Sequence, residues 1–379
     1  KCAARWHAGR PASPHSSARA GSAAVRVHQL LSGFADGDAI STEALLLQAA
    51  LRTRGVTSEI FADLRHVSPS LRAACRPLAD YAGTPADVAL HHYSIGSDAL
   101  RRFSETPARR VLRYHNITPA ECFDGFDDRV AAQLRDARAQ LPAVAAGCAA
   151  ILAVSRYNAA ELESLGLRNV RVLPLLFSAA PFDQPDRPEV ARRVAPPLTT
   201  LLFVGRIAPN KKVETLIETF YWYQRIHNPC SRLTIVGSEH SCPRYFAMLR
   251  MQASDLDLTN VCFEGVAAPE GLPTYYRHAA AFITTSEHEG YYLPLLEAMH
   301  NGVPVIARAQ GGMPEALGGA GVQFEGLRPA ELAGLVHRVV SDAPLRAEIV
   351  ASQRVRMQEI AGRDVAAEMA ALLDALRSP

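Results

Sequence analysis

A chain of 379 residues is too long for one ordinary hydrophobic core and suits two domains of similar size. Hydrophobic residues make up 48% and charged residues 21%, which excludes a disordered or fibrous chain. A net charge of +2 gives no field for gathering nucleic acid, and seven scattered cysteines without a Cys-x-x-Cys pair argue against a disulfide framework or zinc site, so a reducing cytoplasm is expected.

Residues 1–23, rich in Ala, Ser, Arg and Pro, lack the apolar core of a secretory signal and read as a flexible leader. Short apolar runs then alternate with helical patterns at 25–31, 58–62, 87–91, 110–114, 149–154 and 170–175. This rhythm predicts a parallel sheet covered on both faces, so residues 24–175 read as one doubly wound lobe. The stretch 141–154 holds Pro142 and Gly147 and is shorter than the ~20 residues of a spanning helix, so it reads as a helix end followed by a buried strand.

Residues 176–197, with Pro181, Pro185, Pro188, Pro196 and Pro197, have the composition of a linker. The rhythm restarts at 201–204 and continues through 233–236, 261–263, 281–285 and 303–307, which outlines a second lobe over 198–361. In its first helix Val213, Leu216, Ile217 and Phe220 mark one buried face. The end of the chain, 362–379, carries Val365, Met369, Leu372, Leu373 and Leu376 on one stripe that needs a surface to cover.

Residues able to do chemistry gather at strand ends of the second lobe. After 281–285 comes Ser286-Glu287-His288-Glu289-Gly290-Tyr291-Tyr292-Leu293-Pro294-Leu295-Leu296-Glu297. Glu289 falls in a strand-to-helix turn and Glu297 inside the helix, both toward the carboxyl end of the sheet where open α/β folds bind ligands. Two carboxylates there can accept hydrogen bonds from sugar and ribose hydroxyls, while the N–H groups near Tyr291 to Leu293 face a phosphate. A chance acidic first turn explains one Glu but not Gly290.

After 201–204 comes Gly205-Arg206-Ile207-Ala208-Pro209-Asn210-Lys211-Lys212. Gly205 admits close backbone approach, and Arg206 as a fork with Lys211 as a point charge suits a diphosphate; the alternative is an exposed basic loop ahead of a helix. Gly311-Gly312-Met313-Pro314-Glu315 follows another strand and offers N–H donors to an anion, or simply a turn.

As an ordered set, Gly205-Arg206 with Lys211, Glu289 with Glu297, and Gly311-Gly312 with Pro314-Glu315 resemble glycosyltransferase family 4 over most of residues 200–325. The resemblance implies the α/β GT-B fold, two Rossmann-like doubly wound parallel-sheet lobes with a cleft between them, and a terminal helix returning to the first lobe. It implies a retaining transferase that moves a sugar from a nucleotide-sugar (UDP- or GDP-sugar) to a hydroxyl of a glycan or lipid-linked acceptor in polysaccharide biosynthesis, without cofactor or metal.

Arg206 and Lys211 would hold the diphosphate, Glu289 the sugar hydroxyls and Glu297 the ribose. Gly37, Gly205, Val266, Gly290, Tyr291, Tyr292 and Leu293 would complete the donor set. The family often has a second Gly where this chain has Tyr292. By the same resemblance His115, after the strand 110–114, would lie beside the donor sugar and the reacting centre, a capping or satisfied loop histidine being the alternative. Asp38, beside Gly37, would receive an acceptor hydroxyl, with Ser41 capping a helix that begins at Thr42.

Asp255-Leu256-Asp257 fits a metal-holding Asp-x-Asp, but it precedes its strand and reads as a solvated turn, so no metal is expected. Arg101, Arg102, Arg109, Arg110 and Arg113 form a basic cluster, either a solvated helix face or a peripheral contact with anionic lipid at the inner membrane face. His91, His92 and Ser94 end another strand and are acceptor-side candidates without a motif. A sugar-nucleotide epimerase of the same architecture and a non-catalytic nucleotide-sugar-binding subunit stand as alternatives.

Overall fold

The computed structural model describes residues 26–376; residues 1–25, which include the leader 1–23, and the last three residues lie outside them, as do the side chains of Leu373 and Asp374. The first lobe is built on seven parallel strands, β1 (Arg26–Leu31), β2 (Thr57–Ala62), β3 (Arg76–Pro77), β4 (Val88–Tyr93), β5 (Arg109–Tyr114), β6 (Ala150–Ala153) and β7 (Val170–Val172), in the order β3-β2-β1-β4-β5-β6-β7. Its helices are α1 (Ala39–Thr53), α2 (Asp98–Glu105), α3 (Asp128–Ala146) and α4 (Arg156–Ser164).

Strand alternation sorts the side chains between the two faces. Val27, Val88, Leu90 and Val111 meet Leu47 and Leu51 of α1 on one face, while Leu30, Ala89 and Leu112 join the core under α2 and α3 on the other.

A connection leads through a 3₁₀ turn (Ala180–Asp183) and α5 (Pro188–Val194) into six parallel strands: β8 (Thr199–Val204), β9 (Ser231–Val236), β10 (Val261–Gly265), β11 (Ala281–Thr284), β12 (Val305–Arg308) and β13 (Val322–Phe324). Their order is β10-β9-β8-β11-β12-β13. The helices between and after them are α6 (Val213–Trp222), α7 (Pro243–Asp255), α8 (Leu272–Arg277), α9 (Pro294–His300), α10 (Met313–Leu317), α11 (Pro329–Ser341), α12 (Ala343–Ala361) and α13 (Val365–Ala375). This is the GT-B arrangement that the resemblance implies. In each sheet the strand order reverses beside the lobe's first strand, at β1/β4 and β8/β11, and such switch points open a crevice at the carboxyl ends of the strands.

Several expectations need correction. The linker composition of 176–197 conceals ordered structure, because Pro181 and Pro188 occupy helix starts, where a missing N–H is harmless. Phe182, Val190 and Val194 are buried there. Helix α1 begins at Ala39, not Thr42, and its cap is Asp38, whose carboxylate accepts from Ser41 N at 2.9 Å and Ser41 Oγ at 2.8 Å. Strands β3 and β13, two and three residues long, are too short to leave a period in the sequence.

The last helix crosses to the other lobe. Met369 and Leu372 of α13 pack with Val27, Leu47, Leu51 and Val88, and Arg54 pairs with Asp364 at 2.9 Å just ahead of it. Among the described residues no helix is long and apolar enough to cross a membrane.

Candidate active site

The loop after β8 is stitched to the loop after β11. Glu287 N donates to Asn210 O at 2.9 Å, Asn210 Nδ2 to His288 O at 3.1 Å, and Thr285 Oγ1 to Lys212 O at 2.7 Å. These bonds bring Lys211 and Glu289 together as a buried ion pair. Burial lowers the pKa of Lys211, against the opposing pull of Glu289. Arg206 is exposed and, among the described residues, makes no ion pair; its charge also disfavours that of Lys211. One cation is thus locked and another open within a single loop.

Gly311 and Gly312 serve packing. A Cβ on Gly311 would lie 2.5 Å from Glu289 O, one on Gly312 would lie 2.0 Å from Gly290 O, and Gly312 N donates to Glu289 O at 2.8 Å. That N–H is therefore taken by the protein rather than offered to an anion, which corrects the anion-donor expectation for Gly312.

Tyr292 stands at φ +72° with a buried side chain. Its hydroxyl donates to Val204 O at 2.6 Å, and its ring lies 4.5 Å below Lys211 Nζ, a cation–π distance. A Cβ on Gly205 would approach the same hydroxyl at 3.2 Å. Tyr291 and Leu293 are buried in the second-lobe core, which leaves their backbone as the part able to meet a ligand.

Glu297 stands apart from this group, with no ion pair or hydrogen bond to Arg206, Lys211 or Glu289. It accepts from Tyr276 Oη at 2.6 Å, and burial pushes its pKa up to about 7.

The first lobe closes the site from the other side. Gly37, at φ +71°, lies where a Cβ would meet Val266 Cγ1 at 3.6 Å, so these two residues face each other between the lobes. A Cβ on Gly290 would lie 2.5 Å from His115 O and 3.1 Å from Asn116 Cβ, which seats the Glu289-Gly290 turn on the His115 turn. Asp38, the α1 cap, sits on the same loop as Gly37 with its carboxylate already engaged by Ser41.

Beneath that turn lies a polar cluster of which the sequence offered His92, Arg113 and His115 singly but neither Gln29 nor Glu43. Alternation puts Gln29, His92, Arg113 and His115 on the sheet face covered by α1, where Glu43 descends. Arg113 is fully buried, binds Glu43 through both Nη2 and Nε (3.3 Å), and donates to Pro174 O at 3.0 Å. It therefore leaves the expected basic cluster, which reduces to Arg101, Arg102, Arg109 and Arg110.

His115 Nε2 lies 2.8 Å from His92 Nδ1 and 3.4 Å from Glu43 Oε2, and His92 Nε2 lies 2.8 Å from Gln29 Oε1. Burial holds both histidines well below the usual imidazole range, reinforced for His92 by Arg113 and for His115 by His92 and Arg113. His91 turns to the opposite face, bonds Leu30 O at 2.9 Å and belongs to the core. The signal available in the sequence was polar residues at alternate positions of apolar strands. Asp255 ends α7 and Asp257 lies on the turn that follows it, both exposed at the amino end of β10.

Comparison with known proteins meets this geometry in the second lobe. Residues 199–342 match the family Glycosyl transferases group 1. The group 1 match contains Gly205, Arg206, Lys211, Glu289 and Glu297. D-inositol 3-phosphate glycosyltransferase of Acidothermus cellulolyticus is 33% identical over 193 residues, 48% of this chain and 42% of that protein. Mannosylfructose-phosphate synthase of Agrobacterium fabrum is 32% identical over 122 residues, 31% of this chain and 27% of that protein. The chain spans less than half the length of these curated relatives.

Among solved structures, Anabaena Alr3699/HepE in complex with UDP and glucose superposes with a TM-score of 0.71 at 18% identity, covering 92% of this chain and 99% of that one. Sucrose-phosphate synthase of Thermosynechococcus elongatus gives 0.71 at 18% identity, covering 93% and 99%. At such identities the likeness is one of fold.

Proposed function

We propose that the chain is a retaining glycosyltransferase that moves a hexose from a UDP- or GDP-sugar to a hydroxyl of a glycan or lipid-linked acceptor in polysaccharide biosynthesis. The observation that carries the reading is the Lys211–Glu289 pair at the β8/β11 switch point, with the unpaired cation Arg206 on the same loop, inside a group 1 match. Relatives named for glycosyl transfer, and a structural neighbour whose complex holds UDP and glucose, support it.

On this reading the donor diphosphate lies against Arg206 and Lys211, and Glu289 turns from Lys211 to the sugar hydroxyls. Glu297 takes the ribose, while Gly37, Val266 and the backbone at Gly290 to Leu293 enclose the donor. The acceptor oxygen bonds to the anomeric carbon on the face that the diphosphate leaves. The anomeric bond to phosphate breaks through an oxocarbenium-like state, and the acceptor proton passes to the departing phosphate. Negative charge grows on the leaving group, and fixed cations there can lower the barrier by several kcal/mol. The reading assigns no metal or other cofactor to this site.

His115 and Asp38 belong to the acceptor side. A cytoplasmic location is part of the proposal, supported by the free thiols among the described residues, and Arg101 and Arg109 are exposed for a peripheral lipid contact.

The test is nucleotide release from a panel of UDP- and GDP-sugars, with and without saccharide acceptors. Acceptor-dependent release is expected, with Lys211→Ala and Glu297→Gln each lowering kcat/KM by about 100-fold or more. Unchanged kinetics in both variants overturns the assignment, and epimerisation of donor alone favours the epimerase.

A further inference from the structure

The buried cluster beneath the His115 turn dictates where the imidazole protons sit. Gln29 is fully buried in β1, and its Nε2 donates to Ala44 O at 3.0 Å. Reversing that amide would set two carbonyl oxygens against each other, so Oε1 is the atom that faces His92. An amide oxygen only accepts; His92 Nε2, 2.8 Å away, must carry a proton. Because His92 is neutral in this dry site, its Nδ1 keeps a lone pair and accepts from His115 Nε2 at 2.8 Å. Glu43 Oε2, held in place by Arg113, lies 3.4 Å from the same nitrogen and is a second acceptor for its proton.

Every neighbour of His115 Nε2 therefore wants a proton there, and the neutral ring has none left for Nδ1. Among the described residues Nδ1 has no hydrogen-bond partner, and it is not one of the sealed, partnerless polar atoms. The turn that carries this ring is the one on which Gly290 rests, beside Glu289.

We propose that Gln29, His92 and Glu43 are positioning residues that fix His115 as the Nε2–H tautomer, leaving Nδ1 as a hydrogen-bond acceptor for a hydroxyl of the donor or acceptor sugar. The ligand role rests on the function proposed above; the tautomer rests on the hydrogen bonds together with the neutrality of buried His92.

Glu43, His92 and His115 bring a carboxylate oxygen, Nδ1 and Nε2 within 4.8 Å of one another, the makings of a metal site. Charge balance argues for the proton instead. Glu43 and Arg113 already neutralise each other, and a divalent ion would add two uncompensated charges to a buried site beside a guanidinium.

The experiment is ¹⁵N NMR of histidine-labelled full-length protein, His115 being assigned by difference with His115→Asn, alongside kinetics and elemental analysis. The expected result is a protonated Nε2 and bare Nδ1 at neutral pH, with no stoichiometric metal. His92→Leu removes the acceptor and should mix the tautomers and lower kcat at least about 10-fold with little change in donor KM. His92→Asn puts an amide oxygen near the Nδ1 position and should restore much of the loss, which a merely structural role would not do.

A protonated Nδ1 in the wild type, a bound metal, or undiminished kcat in His92→Leu overturns the proposal. A wild type with the expected tautomer but no acceptor-dependent transfer supports the tautomer and fails the function.

Discussion

At Tyr292 a bulky side chain holds a left-handed backbone, φ +72°, which costs a non-glycine residue about 1–2 kcal/mol. Two contacts offset that strain, the hydroxyl on Val204 O and the ring under Lys211. Tyr292→Phe keeps the ring and loses the hydroxyl, so it should lower stability by about 1 kcal/mol and leave donor KM nearly unchanged. Tyr292→Gly relieves the backbone but frees Lys211, so donor KM should rise several-fold. Denaturant unfolding beside donor kinetics separates the two effects.

The sequence revealed Lys211 and Glu289 because each sits in a motif of fixed spacing after a strand. Gln29, Glu43 and His92 have no such spacing. They come from β1, α1 and β4, and only sheet register makes them neighbours of His115. Tyr292 was visible as a departure from the family, but the direction of its side chain depends on a φ that residue identity does not state.

Among the elements, α13 joins parts of the chain far apart in sequence. Leu372 and Met369 are buried against Leu47 and Leu51 of α1 and Val27 and Val88 of the sheet. Leu372→Ala should destabilise the first lobe by about 2–4 kcal/mol and shift its unfolding ahead of the second, readable by hydrogen exchange in α1. Its apolar stripe was legible from the 3.6-residue period, and so were most strands, from their apolar runs. Helix α5 was not, because proline marks a loop by composition and a helix start by position, and only packing of Val190 and Val194 decides between them.

Across the whole molecule, buried neutral imidazoles set an acid limit. His91 is brought down to about 4 by burial, and His92 and His115 also fall below the ordinary value near 6.5. The unfolded chain takes up protons at these rings below pH 6.5 while the folded chain does not. The stability these rings contribute is therefore complete above pH 6.5 and drains as pH falls toward 4. His91 alone accounts for roughly 2 kcal/mol between pH 7 and 5. Glu297, raised to about 7, takes up its proton on the folded chain over the same interval and offsets this loss, so urea midpoints of Glu297→Gln should drop between pH 7 and 5, and a flat profile in that variant would mean that the rings take up protons without unfolding.

The backbone passes between the lobes twice, once through the connection ahead of β8 and once through the turn into α13. These passages lie side by side, since Leu173 and Leu176 share a cluster with Met369 and Leu372. Two adjacent tethers act as the pins of a door. They leave a swing about the line joining them as the cheap motion and resist sliding or twisting, and such a swing would part Gly37 from Val266.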